Sequence, residues 1–246
     1  MSRGRLLLVG SGEFTPVMAA VDREILAGIP KERPHVAIIP TASGLEDTPQ
    51  SWSEMGIAHF AALGAEARPV MVLQREDAHA ERWIDALADV DWMYFSGGRP
   101  QHAIGVLERT PFWAEVARRH RDGAVLAGSS AGAMMLGEKS YAPDDFDENG
   151  MPRRIGMRDG LGILPGHFVI PHFDLLTRFP SARVEAWIAL WPSGCRGLGI
   201  DEDTAVVEDG ADWTVRGKGR AVTMTSFAEQ RVHVAGERFD GIRVRI

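Results

Sequence analysis

Short, almost unbroken apolar runs punctuate the first half of the chain: Leu6 to Gly10, Val36 to Pro40, Pro69 to Leu73, Trp92 to Ser96 and Val125 to Gly128. Runs of this kind fit strands buried on both faces, as in a parallel sheet. Between them lie amphipathic stretches of helical length, at about 16 to 27, 50 to 63, 79 to 88 and 100 to 121. Pro100 and Pro111 suit first-turn helix positions, so the last stretch predicts two helices. Strand and helix alternate, which predicts right-handed crossovers and a three-layer αβα sandwich around a mostly parallel central sheet. Beyond Leu136 the pattern changes. Residues 139 to 160 are polar and rich in Asp and Gly, and read as a long loop or hairpin. Phe179 to Trp191 reads as a helix. From Leu198 the chain alternates as antiparallel strands do: Gly199 to Val207, Trp213 to Arg216, Ala221 to Thr225 and Gly241 to Ile246. With turns at Gly210, Gly217 and Gly219, these predict an antiparallel C-terminal extension of the same sheet.

Composition narrows the choices. A chain of 246 residues with no Pro/Gly/Ser-rich linker predicts a single α/β domain spanning 1–246. A hydrophobic content of 45% is ample for a core. Lys and Arg number 27 against 34 Asp and Glu, a net charge of −7, which argues against a nucleic-acid partner. No run approaches the roughly 18 apolar residues of a membrane span. Cys195 is the single cysteine, so no internal disulfide can form, and no Cys/His group has zinc-site spacing. A cytoplasmic, reducing setting without a metal or organic cofactor is the expectation. The apolar Trp187–Trp191 segment is a candidate homodimer face, with core packing as the alternative.

The chemistry gathers where predicted strands end. Gly128-Ser-Ser-Ala-Gly132 lies between an apolar run and an apolar helical pattern, a Gly-x-Ser-x-Gly arrangement that lifts a serine hydroxyl clear of a strand-to-helix turn. Ser130 is therefore the candidate nucleophile. The N–H of Ala131, and that of Gly98 in Ser96-Gly-Gly98, are candidate donors to a developing oxyanion. A serine nucleophile needs a base, and His172 in Val169-Ile-Pro-His-Phe173 follows an apolar run that would end beside it. His167 and His102 compete for the role. His35, His59, His79, His120 and His233 read as surface or strand-edge residues. An orienting carboxylate could come from Asp201-Glu-Asp203, or from Asp144, Asp145 and Asp147.

Four segments together resemble the peptidase S51 family, which includes aspartyl dipeptidase (peptidase E) and cyanophycinase. They are Tyr94-Phe-Ser-Gly-Gly98, Ala127-Gly-Ser-Ser-Ala-Gly-Ala133, Ile170-Pro-His-Phe173 and Leu198-Gly-Ile-Asp-Glu-Asp-Thr-Ala205. The resemblance implies a class I glutamine-amidotransferase-like, flavodoxin-like fold. It implies Ser130 as nucleophile, His172 as base, and Gly98 and Ala131 as oxyanion donors. The cyanophycinase-like pattern makes Glu202 the triad acid, which is the expectation here, and the dipeptidase-like pattern offers Asp145 as the alternative. The implied substrate is a small peptide or another amide. The chain departs from the family pattern at Arg99-Pro-Gln101, and in the Ile170-Pro171 that precede His172. Arg99, Gln101, Arg178 and Arg183 are the candidates for binding an acidic substrate, since guanidinium groups grip carboxylates bidentately. An α/β-hydrolase esterase places its acid before its histidine, which fits Asp145 but not Glu202. A non-catalytic ligand-binding relative of the fold is the reading outside enzymology, and it predicts that Ser130 and His172 lie beyond hydrogen-bond reach.

Overall fold

A computed structural model of the chain describes residues 3–146, 152–178 and 181–245. The side chains of residues 145, 146, 152, 177, 182 and 183 lie outside that description. The predicted apolar runs form the central strands β1 (Leu6–Val9), β2 (His35–Ile39), β3 (Glu66–Pro69), β4 (Trp92–Phe95) and β5 (Val125–Ser129). These five pair in parallel in the order β1-β5-β4-β2-β3. The third strand precedes the predicted run. Residues 66 to 69 pair with β2, and the Val70 N–H still donates to the Ile38 carbonyl at 2.9 Å; beyond it the chain leaves the ladder, with Val70 and Val72 both buried in the core. Burial, not pairing, made that run apolar.

Alternate residues of each strand feed opposite faces, the period of two that a pleated strand imposes. Leu6, Leu8, Ala37, Ile39, Met93, Phe95 and Leu126 enter one core. Leu7, Val9, Val36, Ile38, Trp92, Tyr94, Val125 and Ala127 enter the other. Helices α1 (Pro16–Ala27) and α2 (Pro49–Ala62) cover the second face, through Met18, Val21, Ile25 and Phe60. Helix α3 (Glu81–Asp85) is shorter than its amphipathic pattern, because a separate 3-10 turn occupies Asp77–His79. Helices α4 (Pro100–Leu107), α5 (Pro111–Arg121) and the four-residue α6 (Ala131–Met134) lie on the first face. Proline opens α1, α2, α4 and α5, where its missing N–H costs no intrahelical bond.

The polar stretch after α6 is a hairpin, β6 (Lys139–Phe146) with β7 (Pro152–Asp159). Then follow β8 (His167–Ile170), a 3-10 turn at Phe173–Arg178 and helix α7 (Ser181–Ala189). The expected single C-terminal extension is in fact divided between two sheets. The predicted strand Gly199 to Val207 breaks at Asp201–Asp203 into β9 (Arg196–Ile200) and β10 (Thr204–Asp209). Strands β10, β11 (Asp212–Gly217) and β14 (Arg238–Phe239) continue the main sheet from β1 by antiparallel pairing. Strands β12 (Arg220–Ser226) and β13 (Glu229–Val234) join β9 and β8 in a second sheet, in the order β13-β12-β9-β8. Gly241 to Arg245 forms no strand. Its backbone follows the body of the protein, with the Arg245 N–H donating to the Ile163 carbonyl at 2.8 Å. No helix among the described residues is long and apolar enough to cross a membrane.

Candidate active site

Parallel sheets expose the ends of their strand backbones at one rim, and there the segments carrying chemistry converge. Ser130 follows β5 directly and has φ 49° and ψ −114°, a conformation that costs a side-chain-bearing residue of order 1–3 kcal/mol. Its N–H donates to the Val9 carbonyl at 2.9 Å, and its own carbonyl accepts from Ala133 and Met134 at 3.0 Å. The sharp turn needs flanking glycines. A Cβ on Gly132 would stand 2.4 Å from the Phe95 carbonyl oxygen. The Ser130 hydroxyl thereby emerges half-buried at the rim.

His172 leaves the end of β8 with φ 49°, its N–H 3.4 Å from the Gly10 carbonyl at the end of β1. The ring reaches the serine: Nε2 lies 3.1 Å from Ser130 Oγ, and Nδ1 lies 2.7 Å from Glu202 Oε1. Glu202 sits in the three-residue break between β9 and β10. Its N–H donates to Asp174 Oδ1 at 2.9 Å, and its Oε1 lies 3.4 Å from Ser11 Oγ. The His172 and Glu202 side chains are 39% and 40% exposed, so the pair is open to solvent. Of the two candidate acids, Glu202 meets the imidazole. Asp145 belongs to β6, and its side chain lies outside the described residues, as does Asp147 entirely. Asp144 pairs with Arg154 at 2.9 Å on the hairpin.

Gly98 has φ 135°, and a Cβ there would lie 2.4 Å from the Ala42 carbonyl, so the Gly97–Gly98 turn is held against the turn after β2. Among the described residues, neither the Gly98 N–H nor the Ala131 N–H has a backbone partner. The candidate carboxylate-binding residues stand on three elements: Arg99 and Gln101 at the start of α4, Arg178 in the 3-10 turn and Arg183 in α7. Gln101 donates to the Pro143 carbonyl, which ties α4 to the hairpin. Arg99 is half-buried, Arg178 is exposed at the end of its 3-10 turn, and the Arg183 side chain is outside the described residues.

The competing histidines have structural tasks. His102 Nε2 lies 2.8 Å from the Leu73 carbonyl, and His167 Nδ1 lies 2.9 Å from the Pro165 carbonyl. Of the histidines read as surface or strand-edge residues, His120 is buried in the body, His233 is buried on the edge strand β13, and His59 is half-buried. His120 contacts the Ala124 carbonyl at 2.8 Å, His233 packs on the second sheet, and His59 meets the wholly buried Asp22 at 2.7 Å. Burial raises the Asp22 carboxyl above its ordinary range, against the pull of His59, and pushes the neighbouring Tyr94 phenol far up.

One residue of the rim escaped the sequence reading. Glu13 is buried, and its carboxylate accepts the Gly97 N–H at 2.9 Å and the Ser129 hydroxyl at 2.6 Å. A single side chain thus joins the ends of β1, β4 and β5 beside Ser130. The signal was available: a carboxylate directly after Gly10-Ser-Gly, at the end of a buried strand, is where sites form in such sheets.

Fold and site together define an αβα-sandwich protein with a serine–histidine–carboxylate line at the rim of its parallel sheet. A sequence model described as Peptidase family S51 matches residues 6–216, and the chain belongs to that family. Its relatives include the cyanophycinase of Trichormus variabilis, 29% identical over 217 residues that cover 87% of this chain and 71% of the relative. The Synechococcus elongatus cyanophycinase is 32% identical over 187 residues, which cover 75% of this chain and 56% of that one. Among solved structures, a peptidase from an acI-B1 Actinobacterium superposes with a TM-score of 0.83 at 30% identity, covering 97% of both chains. A putative peptidase E from Listeria monocytogenes shares the fold, with a TM-score of 0.64 at 17% identity over 89% of this chain and 100% of that one.

Proposed function

We propose that this chain is a serine-type peptidase that opens a small peptide or amide through an acyl-enzyme on Ser130. The observation that carries the reading is the continuous hydrogen-bonded line from Ser130 Oγ through His172 to Glu202, at 3.1 and 2.7 Å. These are distances at which a proton can pass in the reaction. Ser130 Oγ attacks the scissile carbonyl carbon, and His172 Nε2 takes the hydroxyl proton. The Glu202 carboxylate fixes the imidazole with its proton on Nδ1 and stabilises the imidazolium. The N–H groups of Ala131 and Gly98 receive the oxyanion of the tetrahedral intermediate. His172 then returns its proton to the leaving amine. In the second half of the cycle it deprotonates a water, which attacks the acyl carbonyl and frees Ser130. The 3.1 Å contact also weighs against a non-catalytic relative, for which no such contact is needed.

An acidic substrate fits the guanidinium groups of Arg99, Arg178 and Arg183, which bind carboxylates bidentately. In this reading Arg99 and Arg178, with Arg183 and Gln101, are the groups that meet its carboxylates. A fluorophosphonate probe tests the nucleophile. Wild type is expected to label and to turn over peptide, whereas Ser130→Ala keeps its circular dichroism spectrum and does neither. Equal labelling of the two proteins removes the proposal. A panel of dipeptides with varied first residues, alongside β-linked Asp-Arg, then ranks the substrate class by kcat/KM.

A further inference from the structure

The second sheet holds a cavity that the peptidase chemistry does not use. Its volume is about 190 Å³, and side chains of four strands line it: His167 from β8, Arg196 from β9, Thr223 from β12, and Arg231 and His233 from β13. The segment from Phe239 to Ile242 closes the other side. Register places those side chains together. His167 pairs with Arg196, Thr223 with both Leu198 and Arg231, and Ala221 with His233. Because side chains alternate across a strand, His167, Arg196, Thr223, Arg231 and His233 share one face.

The cavity is built rather than incidental. His167 and His233 are 8% and 3% exposed. The His233 ring stacks on Phe239, with centroids 4.2 Å apart, and its Nε2 lies 3.0 Å from Thr223 Oγ1. The Pro165 carbonyl can only accept, so His167 carries a proton on Nδ1 and its Nε2 is left to gain or lose one. Some surface guanidinium groups are matched with carboxylates, as Arg216 is with Glu24 and Arg238 with Asp212. Among the described residues no carboxylate lies within ion-pair distance of Arg196 or Arg231. Asp240 is the one acid in the cavity wall.

We propose that this cavity binds a small oxyanion, held by the Arg196 and Arg231 guanidinium groups and by His167 and His233 as proton-dependent donors. Two fixed cations, two imidazoles and a hydroxyl make a donor set with one opposing acid. The volume suits a tetrahedral anion or the carboxylate of one amino acid. The histidines make the affinity depend on pH. Burial holds both below the usual histidine range, and Arg196 presses His167, and Arg231 His233, the same way. Glu138 and the Pro165 carbonyl oppose this at His167, as Glu237 does at His233. A bound anion favours the charged rings, so binding takes up protons and tightens as pH falls. The site is separate from the serine rim. His167 opens β8 and His172 lies beyond its far end, so the cavity and the serine rim stand at opposite ends of that strand.

Isothermal titration with sulfate, a dianion across the range, tests this at constant ionic strength set with chloride. It is run on wild type and on Ser130→Ala, so that its outcome is independent of hydrolysis. One saturable site is expected, about tenfold tighter near pH 6 than near pH 8. Arg196 and Arg231 are both solvent-exposed, so replacing either is compatible with the fold. Arg196→Gln and Arg231→Gln should each weaken binding by about tenfold, the loss of one charge-assisted contact. A parallel titration with L-aspartate identifies the source. Tighter sulfate assigns the cavity to a phosphate- or sulfate-bearing ligand, and tighter aspartate assigns it to an acidic amino acid. No saturable heat in wild type, or unchanged binding in both arginine variants, overturns the proposal. An affinity independent of pH removes the histidines from it.

Discussion

The two sides of the candidate active site are built by different means. On the nucleophile side, Ser130 is fixed through its backbone and by contacts too close for any added atom. Its N–H and C=O are both bonded, Ser129 below it is wholly buried, and a Cβ on Gly128 would sit 2.3 Å from the Gly132 carbonyl oxygen. On the base side, His172 and Glu202 stand on segments leaving the second sheet, two-fifths exposed and held by polar tethers: Gly10 C=O, Asp174 Oδ1 and, at 3.4 Å, Ser11 Oγ. Close packing gives a geometry that cannot drift, and substitutions there strain the fold. Polar tethers give a geometry that substitutions can loosen while the fold survives.

The largest effects expected are on catalysis, from the base side. His172→Ala should lower kcat by about 10⁴- to 10⁶-fold, and Glu202→Gln by about 10²- to 10⁴-fold, since the residual rate comes from binding and oxyanion donors alone. Both variants should melt within a few degrees of wild type. If instead either unfolds, the base side is as tightly built as the nucleophile side and the contrast fails. Gly132→Ala tests the other side. Its new methyl group would have to displace the Phe95 and Ser96 carbonyls, from which its carbon would lie 2.4 and 3.0 Å. Overpacking against backbone predicts a loss of about 1–3 kcal/mol, measured by urea unfolding. An unaltered midpoint would show that the elbow has slack.

Glu13 belongs to the nucleophile side but acts through polar contacts, so it sharpens the comparison. Glu13→Gln keeps an acceptor for the Gly97 N–H and weakens the short bond from Ser129. The expected outcome is a fall of about 10-fold in kcat with little change in KM, because a shift at the oxyanion turn is felt in the transition state rather than in substrate binding. A change confined to KM, or to stability, would make Glu13 a structural residue only.

Much of this was legible in the sequence, and the failures share a cause. The β5–α6 elbow was readable because its constraints are local: a buried run, two glycines and a short helix within Val125–Met134. Each parallel strand was readable from its apolar content, except β3, whose paired residues 66 to 69 are polar or half-buried while the apolar Val70 and Val72 are buried at and beyond its end. The division of the C-terminal strands between two sheets was not readable. The break at Asp201–Asp203 is set by long-range contacts, Gly10 against the Asp201 carbonyl and the Asp203 N–H donating to the Ser11 carbonyl, which lie almost two hundred residues apart in the chain. That same break presents Glu202 to His172. The preference for Glu202 over Asp145 therefore came from the family resemblance and not from spacing; the contact of His59 with Asp22 had no local signal, and Glu13 had only its place after a buried strand.

The smallest effect expected concerns Asp201, which holds the end of β9 next to Glu202. Its Oδ2 lies 3.2 Å from both the N–H and the Nε of Arg220. Burial raises its carboxyl above the ordinary aspartate range, and the bonds and charge of Arg220 oppose the shift without cancelling it. The folded protein therefore keeps this proton more firmly than the unfolded chain. Between the unfolded aspartate value and the raised folded one, the folded state binds more protons, so Asp201 lowers stability as pH climbs through that interval. Asp201→Asn retains an acceptor for Arg220 and has nothing to titrate. Its stability relative to wild type should improve steadily from about pH 4 upward and then level off, as read from urea midpoints across the series. Parallel midpoint curves would mean that Arg220 fully compensates the burial. The polar tether at Asp201 would then be as well balanced as the packed elbow across the cleft.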